Sequence, residues 1–109
     1  MSTDGTGDGP NGAASWVSLE AADGSARVTV HGALTSGSAI AARERLLEAF
    51  ELATDVVVLD LEAVHAIADD ADLPHLIDVA QRRSWTARCR LVVTASDPEI
   101  QHVLRASGL

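Results

Sequence analysis

The sequence predicts a small α/β domain: a mixed β-sheet laid down in the order ββαβαβα, with helices packed against it. Three observations carry this reading. Val56-Val57-Val58-Leu59-Asp60-Leu61 is an almost unbroken apolar run of strand-favouring residues. Downstream, Leu73, Leu76, Ile77 and Ala80 recur at i, i+3, i+4 and i+7, the spacing of one helix face. Strand and helix patterns alternate along the remaining chain, so strands joined through helices must be parallel, with right-handed crossovers. Only the first hairpin is expected to be antiparallel.

Residues 1–14 are mostly Gly, Asp, Thr, Ser, Asn and Pro. They are too polar to bury and read as a disordered tail ahead of a single domain over 15–109. Gly7-Asp8-Gly9-Pro10-Asn11-Gly12 fits the dinucleotide fingerprint in form only, because no strand precedes it and no helix follows. A first strand is expected over 16–20, and Asp23-Gly24 supplies a turn with positive φ at Gly24. In the second strand, over 26–31, Val28 and Val30 point one way while Arg27, Thr29 and His31 point the other. Ser36 or Ser38 is expected to cap a helix running to about Ala53, burying Ala39, Ala42, Leu46, Ala49, Phe50 and Ala53.

The apolar run at 56–61 forms the central strand, and its uniformity predicts cover on both faces. A helix over 71–84 follows, in which Pro74 fits only the first turn. Arg82 and Arg83 are then expected in the last turn, where cations complement the macrodipole. A strand over 88–94 contains Cys89, read as a buried, inert thiol. Asp97 caps the last helix with Pro98 at its first position, Ile100, Val103 and Leu104 face inward, and Gly108 marks the end.

A chain of 109 residues, 47% hydrophobic but only 3% aromatic, has one core filled by Ala, Val and Leu. A formal charge of −8 argues against nucleic acid, whose binding needs a basic surface. No apolar stretch approaches the ~20 residues that cross a bilayer, and no secretion-signal pattern is present. A cytoplasmic protein without direct membrane insertion is the expectation. No Ser sits in a nucleophile elbow, so no enzymatic chemistry and no cofactor are expected. Trp16 and Trp85 read as packing residues, with Trp85 the better anchor candidate, and His31 and His102 as surface residues.

The densest chemistry lies at Ala68-Asp69-Asp70-Ala71-Asp72, between the central strand and the next helix. Open α/β sheets place their working crevice at such strand-to-helix junctions. Asp69 or Asp70 would make an N-cap, and acids there are favoured by the helix dipole. With His65, His75 and Asp78, the cluster also offers oxygen and imidazole donors for a divalent metal, although no standard ligand spacing is present.

Three stretches resemble the STAS family, the sulphate-transporter and anti-sigma-factor-antagonist domain. The run from Val56 through Asp60-Leu61 to Val64 and Ile67 is similar to the family's strand and following loop. Val30-His31-Gly32-Ala33-Leu34-Thr35 is similar to its "hxGELD" segment. Ser96-Asp97-Pro98 through Ser107-Gly108-Leu109 is similar to its penultimate-helix pattern ending in "sGL". The resemblance implies a non-enzymatic interaction domain whose partner is an anti-sigma factor with a kinase-like ATP-binding fold. It places the binding surface at Thr35, Ser36, Ser38, His65, Asp69, Asp70, Asp72 and His75.

The sequence departs from the family where regulation sits. Asp70 aligns with the serine that anti-sigma antagonists have phosphorylated, Ala68 replaces a preceding Asp, Thr35 replaces the aspartate of "GELD", and Asp72 replaces an apolar residue. Phosphoserine carries about −1.5 to −2 charge and three acceptor oxygens, so aspartate is a partial, permanent mimic. The chain also ends before the last strand and helix that many relatives carry, which predicts an exposed sheet edge. Two other readings stay open: a STAS-type regulatory subunit of an ATP-binding cassette lipid transporter, and a metal-binding domain using the acidic loop.

Overall fold

The computed structural model describes residues 15–69 and 71–108, so the tail assigned to 1–14 lies outside the described residues. Seven elements form in the expected order: β1 (Trp16–Ala22), β2 (Ser25–His31), α1 (Ser36–Leu52), β3 (Val56–Asp60), α2 (Asp72–Ala87), β4 (Arg90–Thr94) and α3 (Pro98–Ala106). They build a four-stranded α/β sheet in the order β1-β2-β3-β4. The first pair is antiparallel and the other two are parallel. The hairpin turns on two residues with positive φ, Asp23 at 53° and Gly24 at 84°, the combination that matches the twist of the flanking strands.

Register puts Ala26 and Val28 beside Val57 and Leu59, which continue to Leu91 and Val93, and Val30 lies on the same face beyond them. Those five β2 and β3 residues are buried with Leu34, Leu46, Leu61, Val64, Leu73, Leu76, Ile77 and Ile100 in one core. Helix α1 lies across β1, β2 and β3, α2 against β4, and the two helices pack on each other. Among the buried side chains are Ala42, Leu46, Ala49 and Phe50 of α1, Leu73, Leu76, Ile77 and Ala80 of α2, and Ile100 and Leu104 of α3. The periodicity therefore predicted the core faces well.

The expectation of cover on both faces of β3 does not hold. Its burial alternates, with Val57 and Leu59 enclosed and Val56, Val58 and Asp60 only half-buried. The core lies on one side, and the outward residues of all four strands remain at least partly accessible. An apolar run reports β propensity on both faces, but it does not report that helices exist to cover both.

Neither tryptophan is a core residue: Trp85 is 74% exposed and Trp16 55% exposed. Trp16 instead stacks on His31, ring centroids 3.6 Å apart and 9° from parallel. Helix α2 also runs past its expected end to Ala87, so its last turn holds no basic residue. Arg82 pairs with Asp78 one turn earlier, and Arg88 caps the helix with φ 55°. Cys89 precedes β4 rather than lying within it, and it is buried; burial, followed by the nearby Asp55 charge, pushes its thiol pKa above 9.0. Asp97 caps α3 through bonds from Glu99 N and Ile100 N, with Pro98 starting the helix, as expected.

Candidate functional site

Two loops meet at the carboxyl end of the parallel strands. One carries the chain from β2 into α1, the other from β3 into α2. Leu34 joins them: its N–H donates to Ala66 O at 2.8 Å, and its carbonyl accepts from Ala68 N at 2.8 Å. This one-residue bridge to Ile67 is reinforced by complete burial of the Leu34 side chain. The N-terminal turns of α1 and α2 are thereby held side by side.

Below the bridge, Asp60 fixes where β3 ends. Its Oδ1 accepts from Glu62 N at 2.9 Å and from Thr94 Oγ1 at 3.4 Å, while Oδ2 accepts from Arg27 at 3.1 Å. The first bond turns the chain, and the others tie that turn to both neighbouring strands. This positioning role escaped the sequence reading, although an acid closing an apolar strand was its visible signal.

The helix starts differ from expectation. The α1 cap is Thr35, with extended backbone at φ −108° and ψ 173°. Its Oγ1 accepts from Ser38 N at 3.1 Å, and the Ser38 hydroxyl accepts from Thr35 N at 2.8 Å. Ser38 also donates to Ala33 O at 3.1 Å and is only 6% exposed. Its expected place on the binding surface is therefore corrected: the hydroxyl is used inside the fold. At α2 the cap position is Ala71, without a side-chain bond. Asp69 does not cap the helix but holds the turn before it, its Oδ1 accepting from Ala71 N at 2.9 Å.

The expected surface residues divide accordingly. Ser36, Asp72 and His75 come together, with the Ser36 hydroxyl 3.3 Å from Asp72 Oδ2. With Ala39, Ile40, Arg43 and Leu76 they line a groove of about 270 Å³ between α1 and α2. Thr35 is half-buried, His65 and Asp69 are exposed on the loop, and none of the three lines the groove. Asp70 lies outside the described residues. The sequence reading missed Ile40, an aliphatic side chain 54% exposed beside the groove. Its only signal was an apolar residue one step off the buried stripe, which is ordinary on protein surfaces. Among the described residues no group of three His, Cys, Asp or Glu side chains is placed to hold a metal ion.

Comparison of the architecture with solved structures is decisive for the fold. The chain superposes on SpoIIAA of Bacillus in its phosphorylated form with a TM-score of 0.68 at 16% identity, covering 86% of this chain and 85% of that one. A STAS-domain anti-sigma-factor antagonist from Rhodobacter sphaeroides gives 0.54 at 23% identity, with 77% and 89% covered. The fold is that of a STAS domain. An anti-sigma factor antagonist from Mycobacterium paratuberculosis shares it, at a TM-score of 0.60, 18% identity and coverage of 87% and 79%. No protein-family model and no curated protein matches the sequence. Within this STAS fold the Leu34 bridge and the groove lie at one end of the helical layer. No helix among the described residues is long and apolar enough to cross a membrane.

Proposed function

We propose that this STAS-fold chain is a non-enzymatic regulatory module that binds a protein partner at the joined N-termini of α1 and α2. The observation that carries the reading is the groove beside the Leu34 bridge. There an exposed aliphatic side chain, Ile40, stands beside the polar pair Ser36 and Asp72. A central apolar contact rimmed by polar groups is the composition of a protein interface rather than of a catalytic pocket. The neighbouring anti-sigma factor antagonists support a protein partner in general; the partner proposed here is an anti-sigma factor with the kinase-like ATP-binding fold that the resemblance implies. Thr35, His65, Asp69 and Asp70 form the outer part of the contact in this reading.

Asp70 stands where the resemblance places the phosphorylated serine, so the complex is expected to be free of phosphate control at this loop. Its fixed charge instead selects a partner that brings Arg or Lys. The test is affinity capture from the native cell with the wild-type chain and with Ile40→Glu, paired with incubation of the wild type with a serine kinase of this class and ATP. Retention of a sigma-regulatory ATP-binding protein by wild type, its loss with Ile40→Glu, and no phosphate on residues 64–84 are expected. Equal retention by both chains moves the interface elsewhere. Stoichiometric phosphate on 64–84 overturns the fixed-charge reading, and a transport ATPase in place of the sigma regulator overturns the partner assignment.

A further inference from the structure

The outward face of the sheet is uncovered by the helices and carries no net formal charge. Register places Trp16, Ser18 and Glu20 of β1 beside His31, Thr29 and Arg27 of β2. The rows continue through Val56, Val58 and Asp60 to Arg90, Val92 and Thr94. Parallel strands are ordinarily covered on both faces, yet here Val56 and Val58 are half-buried and Val92 is 41% exposed. The four charged side chains of this face, Glu20, Arg27, Asp60 and Arg90, sum to zero in a chain of formal charge −8. Two copies meeting through this face therefore bring no net formal charge together.

We infer that this face is a docking surface for a second copy of the same chain, the two sheets packing face to face. The arrangement of charge selects the symmetry. Glu20 lies on one edge strand and Arg90 on the other, in rows two residues apart. A twofold axis along the strands lays β1 of each copy over β4 of the other. Each Glu20 then approaches Arg90 across the interface, offset by about 7 Å along the strand, within reach of two long side chains. The valines of β3 and β4 form the centre, and Trp16 covers the rim. Such a contact is isologous and closed, so it yields dimers rather than filaments.

The expected strength follows from the size of the face. Four strands at about 4.8 Å spacing and up to seven residues at about 3.4 Å give roughly 450 Å² per copy. That is below the roughly 800 Å² per partner of a standard stable interface, so the dimer is a concentration-dependent one. It uses the side of the sheet opposite the helices and leaves the groove between α1 and α2 free.

Sedimentation velocity from about 1 μM to about 1 mM is the test. The expected result is a rise from one chain mass to two. Arg90→Glu is expected to weaken the dimer at least about tenfold, and the double variant Glu20→Arg/Arg90→Glu to restore it; both positions of exchange are exposed, and circular dichroism checks folding. In a Trp85→Phe background, Trp16 emission is expected to shift to the blue across the same concentrations. A single chain mass throughout overturns the inference. So does a dimer unaffected by Arg90→Glu or one without the Trp16 shift, which would place the contact at a sheet edge or on the helices. Partner capture by Ile40→Glu is read on a different face, so either proposal can fail without the other.

Discussion

Removing the Ser38 hydroxyl tests how the site is held together. In Ser38→Ala the Oγ that accepts from Thr35 N at 2.8 Å and donates to Ala33 O at 3.1 Å is lost. Each bond is worth about 1 kcal/mol net, and a polar group left unpaired away from water adds roughly 1–3 kcal/mol. Because Ser38 is only 6% exposed, water cannot readily replace the hydroxyl. The expected loss is about 2–3 kcal/mol, or roughly 10–15 °C in Tm for a domain of this size. Thr35→Ala removes the cap oxygen that accepts from Ser38 N, a loss of about 1 kcal/mol. The two losses are expected to sum to more than the double variant loses, because both substitutions dismantle the same reciprocal cap. Urea denaturation followed by far-UV circular dichroism measures all four chains. A Ser38→Ala loss no larger than that of Thr35→Ala, or full additivity of the pair, refutes the assignment of Ser38 as an internal strut.

Two further outcomes follow from the same structure. Gly24→Ala is expected to destabilise by more than about 1 kcal/mol, since Gly24 has φ +84° and a Cβ there would stand 2.9 Å from Thr54 Oγ1; Thr54→Ala should recover only the part due to crowding, measured by the same denaturation series. For Cys89, burial raises the folded thiol pKa above 9.0, so the unfolded chain ionises first. The stabilisation is whole below about pH 9 and is lost as pH rises through the folded pKa. Wild-type Tm is therefore expected to fall faster than that of Cys89→Ala above that pH, and parallel curves would contradict the burial argument.

The legible part of this sequence was its periodicity. Val28 and Val30, the Leu73–Ala80 face and the Asp97-Pro98 start each announce themselves by spacing and cap chemistry, and each lies where expected. Helix starts were harder because hydroxyls stand at positions 35, 36 and 38. All three residues are of types that cap well, and only the extended backbone at Thr35 decides among them. The α2 end was set too early because Arg82 and Arg83 suggested a last turn, whereas the left-handed residue that ends the helix is Arg88. The open sheet face was illegible for another reason. Alternation distinguishes the faces of β2, but β3 is apolar on both, so its own residues keep no record of which face the helices cover.

The groove was half legible, and the position of Asp72 explains why. Relative to the family pattern, an acid stands there in place of an apolar residue, which composition alone reads as a solvated surface position. In the fold, Asp72 occupies the first turn of α2 and accepts the hydroxyl bond of Ser36 in the first turn of α1. Helix α1 has no acid in its own first turn, so one carboxylate stands between two helix N-termini. Each terminus carries unpaired N–H groups and a partial positive charge. An apolar side chain would bury surface at this point but leave both dipoles uncompensated. The acid also stiffens the junction that Leu34 closes from below through Ala66 and Ala68. Asp72 thus belongs to the scaffold of the site as much as to its surface, while Ile40, with no such bond to make, is left standing into solvent. In the proposed binding mode that contrast gives the two residues different parts: Asp72 keeps the two helix starts in register, and Ile40 is the apolar contact offered to a partner, so Ile40→Glu is expected to abolish capture while leaving the fold intact.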